Sequence, residues 1–127
     1  MLKDHDIGAA IAVKDLEAAK QFYGGKLGLA VEMELPQGGG VYYKSGNSYV
    51  LVYPSQFAGT NKATYAGWTV ENLEEVVAEL KEKGVTFEHY DMPGVTLEGD
   101  IHSWDGKGKT AWFTDPDGNI LAINQKD

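Results

Sequence analysis

Residues 111–125 read AWFTDPDGNILAINQ, in which a polar corner joins two apolar runs. The corner is Asp115-Pro116-Asp117-Gly118-Asn119. Proline fixes its own φ, glycine tolerates positive φ, and Asp and Asn side chains can hydrogen-bond nearby backbone groups. The stretch therefore predicts a hairpin that turns over residues 114–119, with strands at 110–113 and 120–124. Because turn chemistry explains every corner residue, we expect the corner to be structural rather than catalytic.

Composition limits the class of protein. With 127 residues, 43% of them hydrophobic, the chain can form one domain with its own core. The chain has no cysteine, and its polar N-terminus leads directly into a strand-like run, so we expect a cytoplasmic protein without a signal peptide or membrane span. A net charge of -8 argues against nucleic-acid partners. All 11 basic residues are lysines, so no guanidinium group is available for bidentate capture of an anion.

The first half of the chain predicts a strand, a helix and three further strands. Asp15 is typical of a helix N-cap, and Gly28 of a helix end. The strands are predicted at 7–13, 29–35, 41–44 and 48–53.

The second half repeats this order after a polar connector, residues 55–63. VKDLE at 13–17 is matched by VENLE at 70–74, where Asn72 takes the place of the N-cap. Strands are predicted at 65–70 and 85–91, followed by a long loop over 93–109 and the closing hairpin. Because one such module cannot bury its sheet alone, we expect the modules at about 5–54 and 64–126 to pair into a single domain, residues 1–127.

Two motifs carry a family resemblance. FYGGKLGL at 22–29 and FTDPDGNILAI at 113–123, together with the paired βαβββ pattern, resemble the vicinal oxygen chelate superfamily, which includes glyoxalase I, extradiol dioxygenases and bleomycin-resistance proteins. The resemblance covers nearly the whole chain. It implies an α+β fold in which paired βαβββ modules form a cupped mixed sheet around a cavity, with the helices outside. It also implies a homodimer.

The resemblance further implies where a metal would bind, since metal-dependent members take one ligand from each of four strands. Carried over to this sequence, the four positions are Gly8, Leu51, Tyr65 and Ala122. Glycine, leucine and alanine supply no donor atom, and a neutral tyrosine is a poor ligand. We therefore expect neither a metal at this site nor another cofactor.

A displaced metal site is an alternative. His102 lies in the predicted long loop with acidic neighbours, Glu98, Asp100 and Asp105. Such a group of acidic residues is more often part of a solvent-exposed loop than of a metal site. His89 is expected to be partly buried or at a strand edge.

Small residues on some strands and aromatic residues on others predict a concave apolar site for a small molecule. The candidate ligand-binding residues are Tyr43, Tyr49, Tyr65, Tyr90, His102, Trp104 and Trp112. Ordinary core packing is an equal alternative in a chain with three Trp and seven Tyr. Glu88 is the carboxylate predicted to face inward, beside Tyr65 and Tyr90, where it could act as a general base. A solvated rim position is the alternative for Glu88.

Three functions are consistent with these features. The first is a metal-free binding protein of the bleomycin-resistance type that sequesters or senses an uncharged, weakly polar or aromatic molecule. The second is a glyoxalase-like lyase or isomerase, or a dioxygenase-like enzyme, that uses a displaced metal or Glu88. The third is an interaction module whose cavity is filled by its own side chains. The empty ligand positions favour the first.

Overall fold

The computed structural model describes residues 1–104 and 108–125, and these residues form an α+β fold with two mixed sheets. The strands are β1 (Ala9–Val13), β2 (Ala30–Glu34), β3 (Val41–Ser45), β4 (Ser48–Pro54), β5 (Thr64–Thr69), β6 (Phe87–Glu88), β7 (Val95–Glu98), β8 (Ile101–Trp104), β9 (Gly108–Thr114) and β10 (Ile120–Gln125). The main helices are α1 (Leu16–Lys20) and α2 (Leu73–Glu82). Among the helices of residues 1–104 and 108–125, none has the length and hydropathy that a membrane span needs.

The chain divides into two compact units. The first unit is Met1–Lys62 with Pro116–Asn119, and the second is Ala63–Asp115 with Ile120–Asp127. In the first unit the strand order is β1-β4-β3-β2, with β1 parallel to β4 and the other pairs antiparallel. In the second the order is β5-β10-β9-β8-β7, and β6 pairs with β9. The parallel β5–β10 pair matches the β1–β4 pair, as the repeat predicts.

The first sheet buries one face against α1 and the turn that follows it. Asp15 caps α1 as predicted, because its Oδ1 accepts hydrogen bonds from the backbone of Glu17 at 3.0 Å and Ala18 at 3.3 Å. The helix continues as a π-helical turn over Gln21–Lys26. The buried residues of the first unit include Ile11, Val13, Ala19, Phe22, Tyr23, Val41, Tyr43, Val50 and Val52. Ile7 is 91% exposed, so the first strand begins two residues later than predicted.

The second sheet has its own core around Phe113. The Asn72 side chain caps α2 as predicted, accepting from the Glu75 N–H at 3.2 Å. Phe113 is fully buried, stacks on Trp68 at 6.2 Å between ring centroids, and meets Phe87 edge-on at 5.8 Å. The residues of α2 that join this core are Leu73, Val77 and Leu80. One face of the second sheet is therefore closed by its helix.

The predicted long loop over 93–109 is wrong in part, because it contains the hairpin β7–β8. Gly99, at φ 62°, and Asp100 form its two-residue turn, so that Glu98 pairs with Ile101. The hairpin explains why the predicted strand 85–91 shortens to β6. Two strands pair with the same edge of β9. Because β8 pairs with residues 108–110, β6 pairs only with residues 112–113. The alternating Val95-Thr96-Leu97 run before the glycine is a signal from which these strands could have been predicted.

The closing hairpin is confirmed, since β9 and β10 pair antiparallel from Thr114 and Ile120 onward. Its corner is also anchored within the first unit, at the end of β1. The Lys14 N–H donates to Asp117 Oδ2 at 3.0 Å. The fully buried Asn119 donates from Nδ2 to the Ala12 carbonyl at 2.8 Å. The corner residues thus hold β1 as well as reversing the chain.

Gly118→Val is expected to destabilise the fold by about 1–3 kcal/mol, as measured by chemical denaturation. Gly118 has φ 85°, and no atom beyond its two chain neighbours lies within 4 Å of the position that a Cβ would occupy, so the loss would come from backbone strain. Gly25→Ala is the control, because Gly25 has equal space around it and is not among the positive-φ glycines. Equal stability of the two variants would contradict the strained turn.

Candidate functional site

The face of the first sheet opposite α1 carries a row of side chains that crosses all four strands. Ala10 on β1 is in register with Leu51 on β4, Leu51 with Tyr42 on β3, and Tyr42 with Met33 on β2. Successive side chains of a strand point to opposite faces, and the residues next to Leu51 and Tyr42 in the chain, Val50, Val52, Val41 and Tyr43, are buried on the side of the helix. The row is therefore a largely apolar floor that α1 does not cover.

Two adjacent cavities open on this floor. One has a volume of about 340 Å³ and is lined by Asp6, Ile7, Gly8, Ala9, Ala10, Tyr42, Ser48, Tyr49 and Leu51. The other has a volume of about 420 Å³ and is lined by Glu32, Met33, Tyr42 and Tyr49. Because Tyr42 and Tyr49 line both, we call these residues together the tyrosine cleft. Each volume is within the range of small-molecule sites.

A bulge in β2 shapes one end of the tyrosine cleft. Val31 is in register with Tyr43 and Met33 with Tyr42, so Glu32 is an extra residue between two paired positions. In a regular strand, Glu32 and Met33 would point to opposite faces. The bulge allows both side chains to line the same cavity.

The cleft contains two of the four predicted metal-ligand positions, Gly8 and Leu51. Neither residue has a side-chain donor atom. A Cβ at position 8 would lie 3.0 Å from the Tyr49 carbonyl oxygen, so a histidine there would require the backbone to shift. These two positions do not fit a divalent cation.

The face of the second sheet opposite its core also carries rows in register. One row runs from Gly67 through Ala122 and Trp112 to Glu88. A second row joins Asn124, Thr110 and His102, and the Thr110 hydroxyl donates to Asn124 Oδ1 at 2.7 Å. The other two metal-ligand positions belong to this unit. Ala122 is buried between Gly67 and Trp112, and Tyr65 is half-buried on β5, so these positions do not supply a ligand set either.

Four of the predicted ligand-binding residues form one aromatic cluster in the second unit. The Trp112 ring meets His102 at 4.8 Å, Tyr90 at 5.2 Å and Trp104 at 5.9 Å between centroids, each edge to face. The Trp112 indole N–H donates to the Thr64 hydroxyl at 3.2 Å. The rings contact one another directly, so the cluster is a packed layer. Its tyrosine and tryptophan rings remain half-exposed.

His102 has a structural role in this cluster. It is fully buried, and the Tyr90 N–H donates to its Nε2 at 2.9 Å. Its Nδ1 lies 3.3 Å from the Thr110 carbonyl oxygen. An N–H can only donate and a carbonyl can only accept, so Nε2 is the bare nitrogen and Nδ1 carries the proton. Both ring nitrogens are thus committed to the backbone, and neither is available to a metal.

Two of the acidic neighbours of His102, Glu98 and Asp100, do not form a metal site with it. Asp100 instead bonds Lys81 Nζ at 2.7 Å and His89 Nε2 at 2.7 Å. These two hydrogen bonds hold the pKa of Asp100 below its ordinary value, and the hydrogen bond with Lys81 has the larger effect. Glu98 is exposed, and Asp105 lies outside the described residues. Within residues 1–104 and 108–125, no three His, Asp or Glu side chains are arranged to hold a metal ion.

Glu88 faces Trp112 from the neighbouring strand and is half-buried. Burial, and secondarily the charge of Glu88, raises the pKa of the Tyr90 phenol. Glu88 is therefore near enough to Tyr90 to influence it electrostatically.

Tyr43 has a different environment from the one expected for a ligand wall. It is 1% exposed, its ring lies 6.4 Å from that of Tyr23 on the helix side, and burial raises its pKa. Tyr42 takes its place on the cleft face. Tyr42 and Tyr43 are adjacent in the sequence, so their side chains point to opposite faces of the sheet. The alternation pattern alone could not show which of the two tyrosines faces the cleft. Glu32 and Met33 were missed because a bulge leaves no sequence signal here.

Residues 7–123 match the family model of the Glyoxalase/Bleomycin resistance protein/Dioxygenase superfamily. A glyoxalase family protein from Enterococcus faecalis is 25% identical with a TM-score of 0.73, covering 98% of this chain and 99% of its own. No curated protein sequence matches the chain.

Two further solved structures share the fold. The lactoylglutathione lyase from Agrobacterium tumefaciens is 19% identical with a TM-score of 0.72, covering 95% of this chain and 92% of its own. The antibiotic binding protein TnmS3 from Streptomyces sp. CB03234 is 22% identical with a TM-score of 0.70, covering 97% and 96%. One is named as an enzyme and the other as a binding protein, so the choice depends on the residues of this chain.

Proposed function

Because the chain belongs to the Glyoxalase/Bleomycin resistance protein/Dioxygenase superfamily, we propose that it is a cytoplasmic, metal-free binding protein for a weakly polar or aromatic small molecule. The tyrosine cleft is the proposed site. Its occupant is sequestered or sensed rather than converted.

One observation carries this proposal. The positions at which the family resemblance implies metal ligands in the first unit, Gly8 and Leu51, line an uncovered cavity of about 340 Å³. Apolar surface and tyrosine rings replace donor atoms there. Binding would depend mainly on apolar burial, at about 25 cal/mol per Å², and on contact with tyrosine rings.

A thermal-shift experiment tests the proposal. A library of small aromatic compounds, both neutral and amine-bearing, is expected to contain ligands that stabilise the fold by about 2.7 kcal/mol at a hundred times their dissociation constant. Zn²⁺, Ni²⁺ and Mg²⁺ are expected to leave the melting temperature unchanged. Specific one-to-one stabilisation by a divalent metal would contradict the proposal, as would a library without any stabilising compound.

An enzymatic function is the second candidate, and the position of Glu88 favours it. Its carboxylate is half-buried opposite Trp112 and near Tyr90, where it could take a proton from a bound substrate. Turnover of a carbonyl substrate that is lost in Glu88→Gln, with unchanged melting temperature, would support this candidate over simple binding.

We predict a homodimer, because β2 leaves an apolar edge. It is the last strand of the first sheet, all its residues are exposed, and Val31 and Met33 are 58% and 51% exposed. Such edges are usually covered by pairing. Sedimentation at micromolar concentration is expected to give a dimer that Val31→Lys weakens. A single species of 13.8 kDa would contradict the prediction.

A further inference from the structure

The charged residues that line the tyrosine cleft are acidic. Asp6 lines one of its cavities and Glu32 the other. None of the residues that line the two cavities is basic, and all of them are in the described part of the chain. Lys44 is in register with Tyr49 on the same face but lines neither cavity. The two charged side chains that line the cavities are therefore both negative.

The uncharged part of the lining also suits a cation. Tyrosine rings attract ammonium groups through their faces. Two tyrosines line both cavities, and the polarisable Met33 thioether lies beside them in the second. The net charge of -8 further raises the local concentration of cations near the surface.

We propose that the ligand of the cleft is an organic cation, an apolar or aromatic body that bears one basic amine. This inference rests on the proposed function and narrows its ligand class, replacing the uncharged ligand expected from the sequence. The body lies on Ala10, Leu51 and Tyr42, and the ammonium group is directed toward Asp6 or Glu32. The row from β1 to β2 spans three strand spacings, about 14 Å, which limits the length of the bound molecule.

Three probes with one body and different head groups test the charge preference. They are phenylbutylamine, phenylbutanol and phenylbutyrate, which are cationic, neutral and anionic at neutral pH. Dissociation constants are measured by NMR titration with the full chain. The amine is expected to bind tightest and at least about tenfold tighter than the butyrate at low salt, a preference that decreases at high salt. Equal or tighter binding of the alcohol or the butyrate would overturn the inference while leaving small-molecule binding intact.

Two variants test whether the preference for the amine depends on the acidic residues of the cleft. Asp6→Asn and Glu32→Gln are each expected to weaken amine binding by about two- to fivefold, as for exposed ion pairs, and to weaken phenylbutanol binding less than amine binding. Glu74→Gln is the matched control, because it removes the same charge from an exposed position on α2 in the second unit. An equal effect of Glu74→Gln would show that net charge, not the cleft, is responsible. Absence of binding by all three probes to the unaltered protein would count against the proposed function itself.

Discussion

His102→Ala is expected to lower the free energy of unfolding by about 2–4 kcal/mol. The histidine is fully buried, and its ring contacts Trp112 at 4.8 Å between centroids. Alanine would leave a cavity in the aromatic cluster. It would also remove the acceptor of the Tyr90 N–H and the partner of the Thr110 carbonyl. Chemical denaturation monitored by tryptophan fluorescence measures the change.

His89→Ala is the control for this prediction. The His89 side chain is 51% exposed and forms a hydrogen bond with Asp100 at the surface, so its loss is expected to change stability by less than about 1 kcal/mol. If the two alanine variants were equally stable, His102 would not have the structural role assigned to it. A metal-dependent stability lost only in His102→Ala would instead make this histidine a ligand.

Gly59→Ala is expected to destabilise the fold by about 3–5 kcal/mol, through backbone strain together with a collision. Gly59 has φ 73°, and a Cβ there would overlap the Asp117 carbonyl oxygen. Asp117 cannot move freely, because its side chain accepts the Lys14 N–H. The substitution should therefore displace the corner that anchors β1.

Gly118→Ala is the control that separates backbone strain from the collision with Asp117. Gly118 has a similar φ of 85° but open space where a Cβ would lie, so it reports strain without collision. Gly59→Ala is expected to be the less stable of the pair by about 2 kcal/mol in urea denaturation. Equal losses would mean that Gly59 and Asp117 do not pack as described.

Local chemistry in the sequence predicted much of the fold. The side chains of Asp15 and Asn72 both cap helices, because each supplies an acceptor just before a periodic apolar run. The closing hairpin was predicted with its strand boundaries nearly correct, because its turn residues have few other uses. Such features depend on residues close together in the chain.

Other features depend on distant contacts, and these were missed. The burial of His102 follows from the pairing of β8 with β9, whereas its acidic sequence neighbours indicated a solvated loop. The bulge that brings Glu32 into the cleft depends on the register of β2 against β3. The sequence could therefore predict an apolar site for a small molecule, but not which charged residues line it.

Binding of the most stabilising library compound, before and after removal of metal ions, tests the central claim most directly. Its dissociation constant is measured by calorimetry on the protein as purified, after dialysis against EDTA, and for Leu51→Lys. The account predicts the same constant before and after dialysis, and binding weakened by at least about tenfold when a charge enters the apolar floor. Binding that disappeared with EDTA, returned with Zn²⁺ and was unaffected by Leu51→Lys would contradict it.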